Sequence, residues 1–490
     1  MRFSLLAGGL LAVAAALPAQ TAPAPSSTGP TLSLDEAIGL ARRNNPTFQQ
    51  SVNERRRAAA ALRSAYGALA PDVSSNFYTQ YRQGGQQFFA GQTIGARADQ
   101  LNAGGGFDVN VRLDAATLLT PRVQRANVDA VEADITGASQ TLRSNVTTQY
   151  ITALRQQATA SLQDSLVATT QAQLELAKAR VAVGAATVLD VRRAEVAVGQ
   201  AQVAAIQAHN QAQVEKLRLF QQMGVEQPTD VQLTTKFAIS DPGFTLDDLL
   251  SQGRRDNPTL NALRTREHVA DVTVRASKGA YLPTLSLSAG LSGYGNTFTN
   301  TSGLVANALA QKQGPCFTTV QIKQALGQAA DEAACSAIAL TPSEVSAAQA
   351  SNGKLYNFTR SPYSVTAQLT LPIFNGFQRE QQIQTAIATR NDAEYRRRSQ
   401  DLQLTADVTS AYLTLQAARQ TVALQEKNSA TAREALSLAQ ERYRVGANTF
   451  IEVSQARDDY ARAQTDYVNA IYDFHRSFAA LENAVGRPLR

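Results

Sequence analysis

Hydrophobic and polar positions alternate with two periods along the 490-residue chain, and the switches between them mark the elements. LSLDEAIGLARRNNPTFQQ, residues 32–50, has the helical period; Ser33 and Glu36 fit a capping box and Asn45-Pro46 breaks the helix. FTLDDLLSQGRRDNPTLNAL, residues 244–263, repeats the phrase with Thr245, Asp248 and Asn257-Pro258, 212 positions later. After Pro71 and Pro283 the period becomes that of a strand. Leu285, Leu287, Ala289 and Leu291 alternate with Ser286, Ser288, Gly290 and Ser292, and Tyr363, Val365, Ala367, Leu369 and Leu371 alternate with polar or small residues. Phe107, Val109, Val111 and Leu113 form a similar run, with a looser partner at Val73, Phe77 and Tyr81. Four strands of about ten residues result, the length a tilted strand needs to cross a bilayer.

Each second strand leads into a very long helical pattern, Leu118 to Val181 and Gln378 to Arg444. At 1.5 Å per residue either spans about 95–100 Å. The patterns break at RVAVGAATVLDV (180–191) and RYRVGANTFIEV (442–453), whose glycines, Gly184 and Gly446, stand 262 positions apart. Both glycines suit left-handed caps ending the long helices. Return helices run on to Met223-Gly224 and Val485-Gly486. Their apolar seams step by three and four: Val191, Ala194, Val198, Ala201 and Ala205, then Val453, Ala456, Tyr460, Ala463 and Tyr467.

The chain therefore reads as a tandem duplication. The first repeat takes residues 32–231, with a strand hairpin at 72–113 and a tip turn at 182–188. The second takes 232–490, with a hairpin at 284–373 and a tip turn at 445–450. The change of offset places an inserted polar loop at 295–361. That loop holds the chain's two cysteines, Cys316 and Cys335, which in an exported protein read as one disulfide.

MRFSLLAGGLLAVAAALPAQ has the charged, apolar and small-residue regions of a signal peptide, residues 1–19, followed by a Pro/Ser/Thr-rich disordered linker, 20–31. No cysteine follows to accept a lipid. No run approaches about 18 apolar residues, so an exported chain enters a membrane as a β-barrel or stays soluble. Four strands are too few to close a barrel, which needs about eight, so several chains contribute; three chains give twelve strands. The net charge of +6 is spread without a basic block, which excludes nucleic acid as a partner. His209, His268 and His475 stand apart, phosphate-loop and nucleophile motifs are absent, and neither an enzyme nor a metal or cofactor site is expected.

The signal peptide, the duplicated plan and the twin VG…T…(D/E)V turns together resemble the TolC family of outer-membrane channel-tunnels, over residues 32–490. The resemblance implies an α+β membrane protein: a homotrimeric, 12-stranded barrel in outer-membrane lipid, continued by a long α-helical coiled-coil tunnel in the periplasm. It implies a passive exit duct for efflux or type I secretion, without cofactor. A periplasmic adaptor (membrane fusion protein) and an inner-membrane RND or ABC pump would open it. Arg180, Val183, Gly184, Thr187, Val445, Gly446 and Thr449 match the adaptor-docking tips. Asp190 and Glu452 match acidic constriction positions and Tyr443 a gate tyrosine. Asn448 stands where a gate arginine is found, and Gln455 where a second acidic ring residue is found. Read physically, Asp190 and Glu452 have two compatible roles, as first-turn helix caps or as a six-carboxylate ring that favours cations. A soluble periplasmic helical scaffold, its hairpins acting as binding flaps, is the alternative.

Overall fold

The structure is a computed structural model that describes residues 30–89, 92–226, 231–239 and 243–489. The expected signal peptide, 1–19, and most of the expected linker, 20–31, lie outside the described residues. The linker's last residue, Thr31, is not disordered: it forms β1 (Thr31–Leu32). The elements that follow are α1 (Leu34–Asn44), α2 (Pro46–Gly67), β2 (Asp72–Arg82), β3 (Gly85–Phe89), β4 (Gln92–Arg97), β5 (Gln100–Leu113), α3 (Ala115–Ala182) and α4 (Val188–Met223). Then come β6 (Gln232–Leu233), α5 (Leu246–Asp256), α6 (Pro258–Lys278), β7 (Thr284–Phe298), α7 (Ser302–Ala325), α8 (Glu332–Ser336), α9 (Pro342–Ala350), β8 (Thr359–Arg360), β9 (Ser364–Thr370), α10 (Gln378–Arg444) and α11 (Phe450–Val485). Among the described residues no helix is long and apolar enough to cross a membrane.

Two compact units form. The first takes residues up to Gln49 with Thr141–Gly243 and Ala411–Leu481; the second takes Gln50–Gln140, Phe244–Ser410 and the chain from Glu482 on.

In the first unit β1 pairs in parallel with β6, through Thr31 with Gln232 and Leu32 with Leu233. Ser33 and Glu36 complete the expected capping box of α1. Ala37, Ile38 and Ala41 from α1 meet Val146 and Tyr150 from α3 and Leu219, Phe220 and Met223 from α4 in one buried cluster. The fully buried Tyr150 hydroxyl donates to the Leu32 carbonyl at 2.7 Å and accepts from the Thr235 amide at 3.2 Å. The break at Asn45-Pro46 is a clasp. Asn45 Oδ1 accepts from the Phe48 amide at 2.9 Å, capping α2, while its Nδ2 donates to the Gln222 carbonyl at 2.7 Å. Gly224 ends α4 at φ +73°, and a methyl there would sit 2.5 Å from the Asn44 carbonyl oxygen.

The second unit contains the equivalent clasp. Asn257 Oδ1 accepts from the Leu260 amide at 3.0 Å, its Nδ2 donates to the Ala484 carbonyl at 3.0 Å, and Gly486 beyond α11 has φ +90°. Thr245 and Asp248 complete the box of α5. An antiparallel sheet runs β2–β5–β7, and both β8 and β9 pair with β7. β2 and β9 are the outer long strands. β3 and β4 form a separate hairpin.

β5 begins at Gln100, earlier than its alternation suggests, because Gly104, Gly105 and Gly106 belong to the ladder. A run of glycines reads as a break. Here it makes room for rings across the strand pair: a methyl on Gly104 would lie 2.6 Å from Tyr78, and one on Gly105 would collide with the Phe77 ring.

The inserted segment, 295–361, is not the irregular polar loop its composition suggested. It extends β7 to Phe298 and then forms α7, α8 and α9. Alanine and glutamine between the polar residues favour helix, and Thr341, Pro342 and Glu344 start α9 with a full capping box. A disulfide joins Cys316 on α7 to Cys335 on α8, with Cα atoms 5.5 Å apart. Lys312 Nζ reaches Glu344 at 2.6 Å.

Candidate functional site

The two glycine turns lie in the first unit. α3 stops at Ala182, and Gly184 takes φ +76°, donating to the Val181 carbonyl at 3.0 Å while Ala185 donates to the Arg180 carbonyl at 2.8 Å. The second turn repeats this pattern: Gly446 has φ +83°, Gly446 N donates to the Tyr443 carbonyl at 3.0 Å and Ala447 N to the Arg442 carbonyl at 2.8 Å. These paired bonds satisfy the last carbonyls of each long helix, and only glycine takes the left-handed conformation without steric cost.

Each return helix starts with a threonine cap and an acid three residues on. Thr187 Oγ1 donates to Asp190 Oδ2 at 2.9 Å, and the Asp190 amide donates back at 3.3 Å. Thr449 N donates to Glu452 Oε2 at 2.7 Å, and the Glu452 amide donates to Thr449 Oγ1 at 3.4 Å. Asp190 and Glu452 are therefore both engaged as helix caps. Asp190 is half-buried and Glu452 exposed.

Around these backbones the side chains divide. Val183, 78% exposed, and Val445, 73%, project from the turns. Val188, Leu189 and Ile451, on the first turns of the return helices, are also exposed. Asn448 is half-buried, its amide bonded to the Arg442 carbonyl at 3.3 Å. Gln455 is exposed and donates to Asp459 at 3.2 Å.

Two sequence-selected residues turn inward instead. Tyr443 is only 5% exposed and packs with Ala177, Ala194, Ala439, Phe450 and Val453. Its ring meets Phe450 edge-on at 6.2 Å. Arg180, grouped by sequence with the exposed docking tips, lays its guanidinium 4.1 Å from the Tyr443 ring centroid. Arg180 Nη1 also donates to the Tyr443 carbonyl, and Nη2 to the Ala185 carbonyl at 2.9 Å. One side chain thus ties the first turn to the end of α10. Burial pushes the Tyr443 hydroxyl above its ordinary value; the Arg180 charge opposes this and the Asp190 charge adds to it.

Phe450 and Gln173 are the residues of this site that sequence reading missed. Phe450 is the apolar residue that opens α11, a position from which an aromatic can pack back on the preceding turn. Gln173, in the interior of α3, carries no local signal.

The arrangement holds two turns in register and presents apolar knobs beyond them. Among the described residues no cluster of His, Cys, Asp or Glu could hold a metal ion.

The family profile described as "Outer membrane efflux protein" matches residues 37–225 and 249–487. The fold is similar to that of CusC, with a TM-score of 0.69 at 15% identity over 93% of this chain and 92% of that one. It is also similar to VceC of Vibrio cholerae (TM-score 0.64, 16% identity, 93% and 97% covered). A third match is the open state of the Neisseria gonorrhoeae MtrE outer membrane channel (TM-score 0.66, 16% identity, 93% and 89% covered). No curated protein matches the sequence. With the match covering both long helices, both turns and all four long strands, the chain belongs to the outer membrane efflux protein family.

Proposed function

We propose that the protein is a passive outer-membrane exit duct, a homotrimer whose twelve strands close a barrel and whose helices form a periplasmic tunnel. The observation that carries this reading is the incomplete sheet. β2 and β9 end it without further partners among the described residues, and their apolar side chains stand in the open: Phe77 is 74% exposed and Val365 73%. Such edges demand pairing, and two further copies of the chain supply it with closure. In this reading the chain duplicates one plan of helices, strand hairpin and tip turn. The turns are docking points for a periplasmic adaptor, with Val183, Gly184, Thr187, Val445, Gly446 and Thr449 at the contact. An inner-membrane pump, of the RND or ABC kind, supplies the energy for efflux or secretion. Asp190 and Glu452, held as caps, ring the mouth with six carboxylates, and Tyr443, Asn448 and Gln455 belong to the same constriction.

The test is Gly446→Trp and Gly184→Trp. Both glycines face open space apart from Arg180, 3.8 Å from a methyl on Gly446. Trimers extracted from outer membranes should be unchanged while export fails. Normal export by correctly assembled variants would remove the turns from docking.

A further inference from the structure

The connection from β9 to α10, residues 371–377, lies in the second unit and holds the one non-glycine residue among the described ones with a left-handed backbone, Phe377 at φ +62°. Gly376 before it has φ +65°. A Cβ makes that conformation costly, and such strain persists where the surroundings impose it. Here they include Arg379. Its buried guanidinium donates through Nη1 to the Pro372 carbonyl at 2.6 Å and through Nη2 to the Ile373 carbonyl at 2.9 Å, and it lies 4.9 Å from the Tyr281 ring centroid. The first turn of α10 thus ties the connection back on itself from within.

The outer surface of the connection is apolar. Ile373 is 89% exposed, Phe374 72% and Phe377 73%, and the two phenyl rings meet edge-on at 5.4 Å. In water little offsets strain that sets two rings side by side in the open. The patch continues a larger one. Tyr363, Val365, Leu369 and Leu371 are exposed at alternate positions along β9 and its ends, and Ile373 prolongs their face, while Ser364, Thr366, Gln368 and Thr370 take the other. On the far side the apolar run stops, since Gln378 and Glu380 open α10 exposed and polar. The ten steps from Tyr363 to Ile373, at about 3.3 Å each and a tilt of about 40°, rise about 25 Å, the height of the apolar band around a membrane barrel. Phe374 and Phe377 stand at one border of that band.

We infer that the 371–377 connection is a lipid anchor: Ile373, Phe374 and Phe377 enter the periplasmic leaflet just beneath the phospholipid headgroups, and α10 emerges from there into water. An apolar, aromatic wedge bordered by a polar helix suits that boundary, where acyl chains meet headgroups. The inference rests on the duct reading, which supplies the bilayer. It adds a grip on lipid beyond the end of the strands, at a connection that Arg379 shapes and Phe377 adopts under strain.

The chain has no tryptophan, so Phe374→Trp, Phe377→Trp and Leu369→Trp each carry a lone fluorescent reporter. The full chain would be assembled in vesicles of phosphatidylcholine brominated either near the headgroup or near the chain ends, and its emission read with and without iodide in the water. Phe374→Trp and Phe377→Trp should be quenched most by bromine near the headgroup and little by iodide. Leu369→Trp, within the strand face, should be quenched most by bromine near the chain ends. If neither lipid quenches Leu369→Trp, the sheet is not in a bilayer, and the duct reading falls together with the anchor. If Leu369→Trp behaves as expected while Phe374→Trp and Phe377→Trp are open to iodide, the connection stands in water and the anchor alone is overturned. Shielding of both from bromine and iodide alike would put a neighbouring chain over the connection and overturn the anchor in the same way.

Discussion

Left-handed glycines in this chain do two different jobs, and their surroundings separate them. Gly184 has φ +76° and no atom within 4 Å of where a methyl would stand, whereas Gly224, at φ +73°, would press its methyl 2.5 Å from the Asn44 carbonyl. Alanine at either site incurs the left-handed penalty of roughly 1–2 kcal/mol. Only Gly224→Ala must also push apart the clasp that Asn45 makes with the end of α4. Denaturant unfolding should therefore find Gly224→Ala clearly more destabilised than Gly184→Ala. Equal losses would mean that the clasp yields freely. Both glycines were legible in the sequence as helix ends. The inward turn of Arg180 was not, because its partner Tyr443 is 263 residues away and a side-chain contact at that range leaves no periodic trace. Val183 and Val445, just beyond the ends of α3 and α10, were singled out by the resemblance of the two turns and not by any period.

At the scale of elements, the long helices, their breaks and the strand ladders follow from period and punctuation. The inserted segment does not. Its Asn, Thr, Ser and Gly content reads as loop, while its alanines and the Thr341–Glu344 box make short helices that a disulfide and an ion pair hold together. That ion pair carries a pH signature. Lys312, followed by the Thr341 amide and hydroxyl, holds the Glu344 carboxyl down from 4.5 to about 2. A depressed carboxyl favours the folded arrangement fully above its ordinary value. The contribution fades as pH falls from 4.5 toward about 2, not at neutral pH. Carboxyl ¹³C NMR of glutamate-labelled protein, with Glu344→Gln as the assignment, should show one carboxylate still ionised at about pH 3, below the ordinary glutamate range. A midpoint in that ordinary range would show that the link to Lys312 does not persist. The triple glycine of β5 is the other place where local reading fell short. Gly104 to Gly106 look like a break, but Gly104 and Gly105 are the floor under Tyr78 and Phe77, and Gly106 lies close against Leu291 and Ser292 of β7.

At the scale of the whole molecule, the order of elements was enough to suggest the family, because helix, break, hairpin, long helix and glycine turn recur in sequence. How the sheet is completed could not be seen within one chain. Its outer strands, β2 and β9, leave exposed edges, and in the proposed duct closure would come from further copies of the chain. The account therefore rests on oligomeric state in the outer membrane. Native mass spectrometry of the full-length product, extracted from purified outer membranes in detergent, measures it most directly. The account predicts a single assembly of three chains, giving the twelve strands a closed barrel can use. An assembly of one or two chains, or recovery of the protein only in the soluble periplasmic fraction, would contradict it.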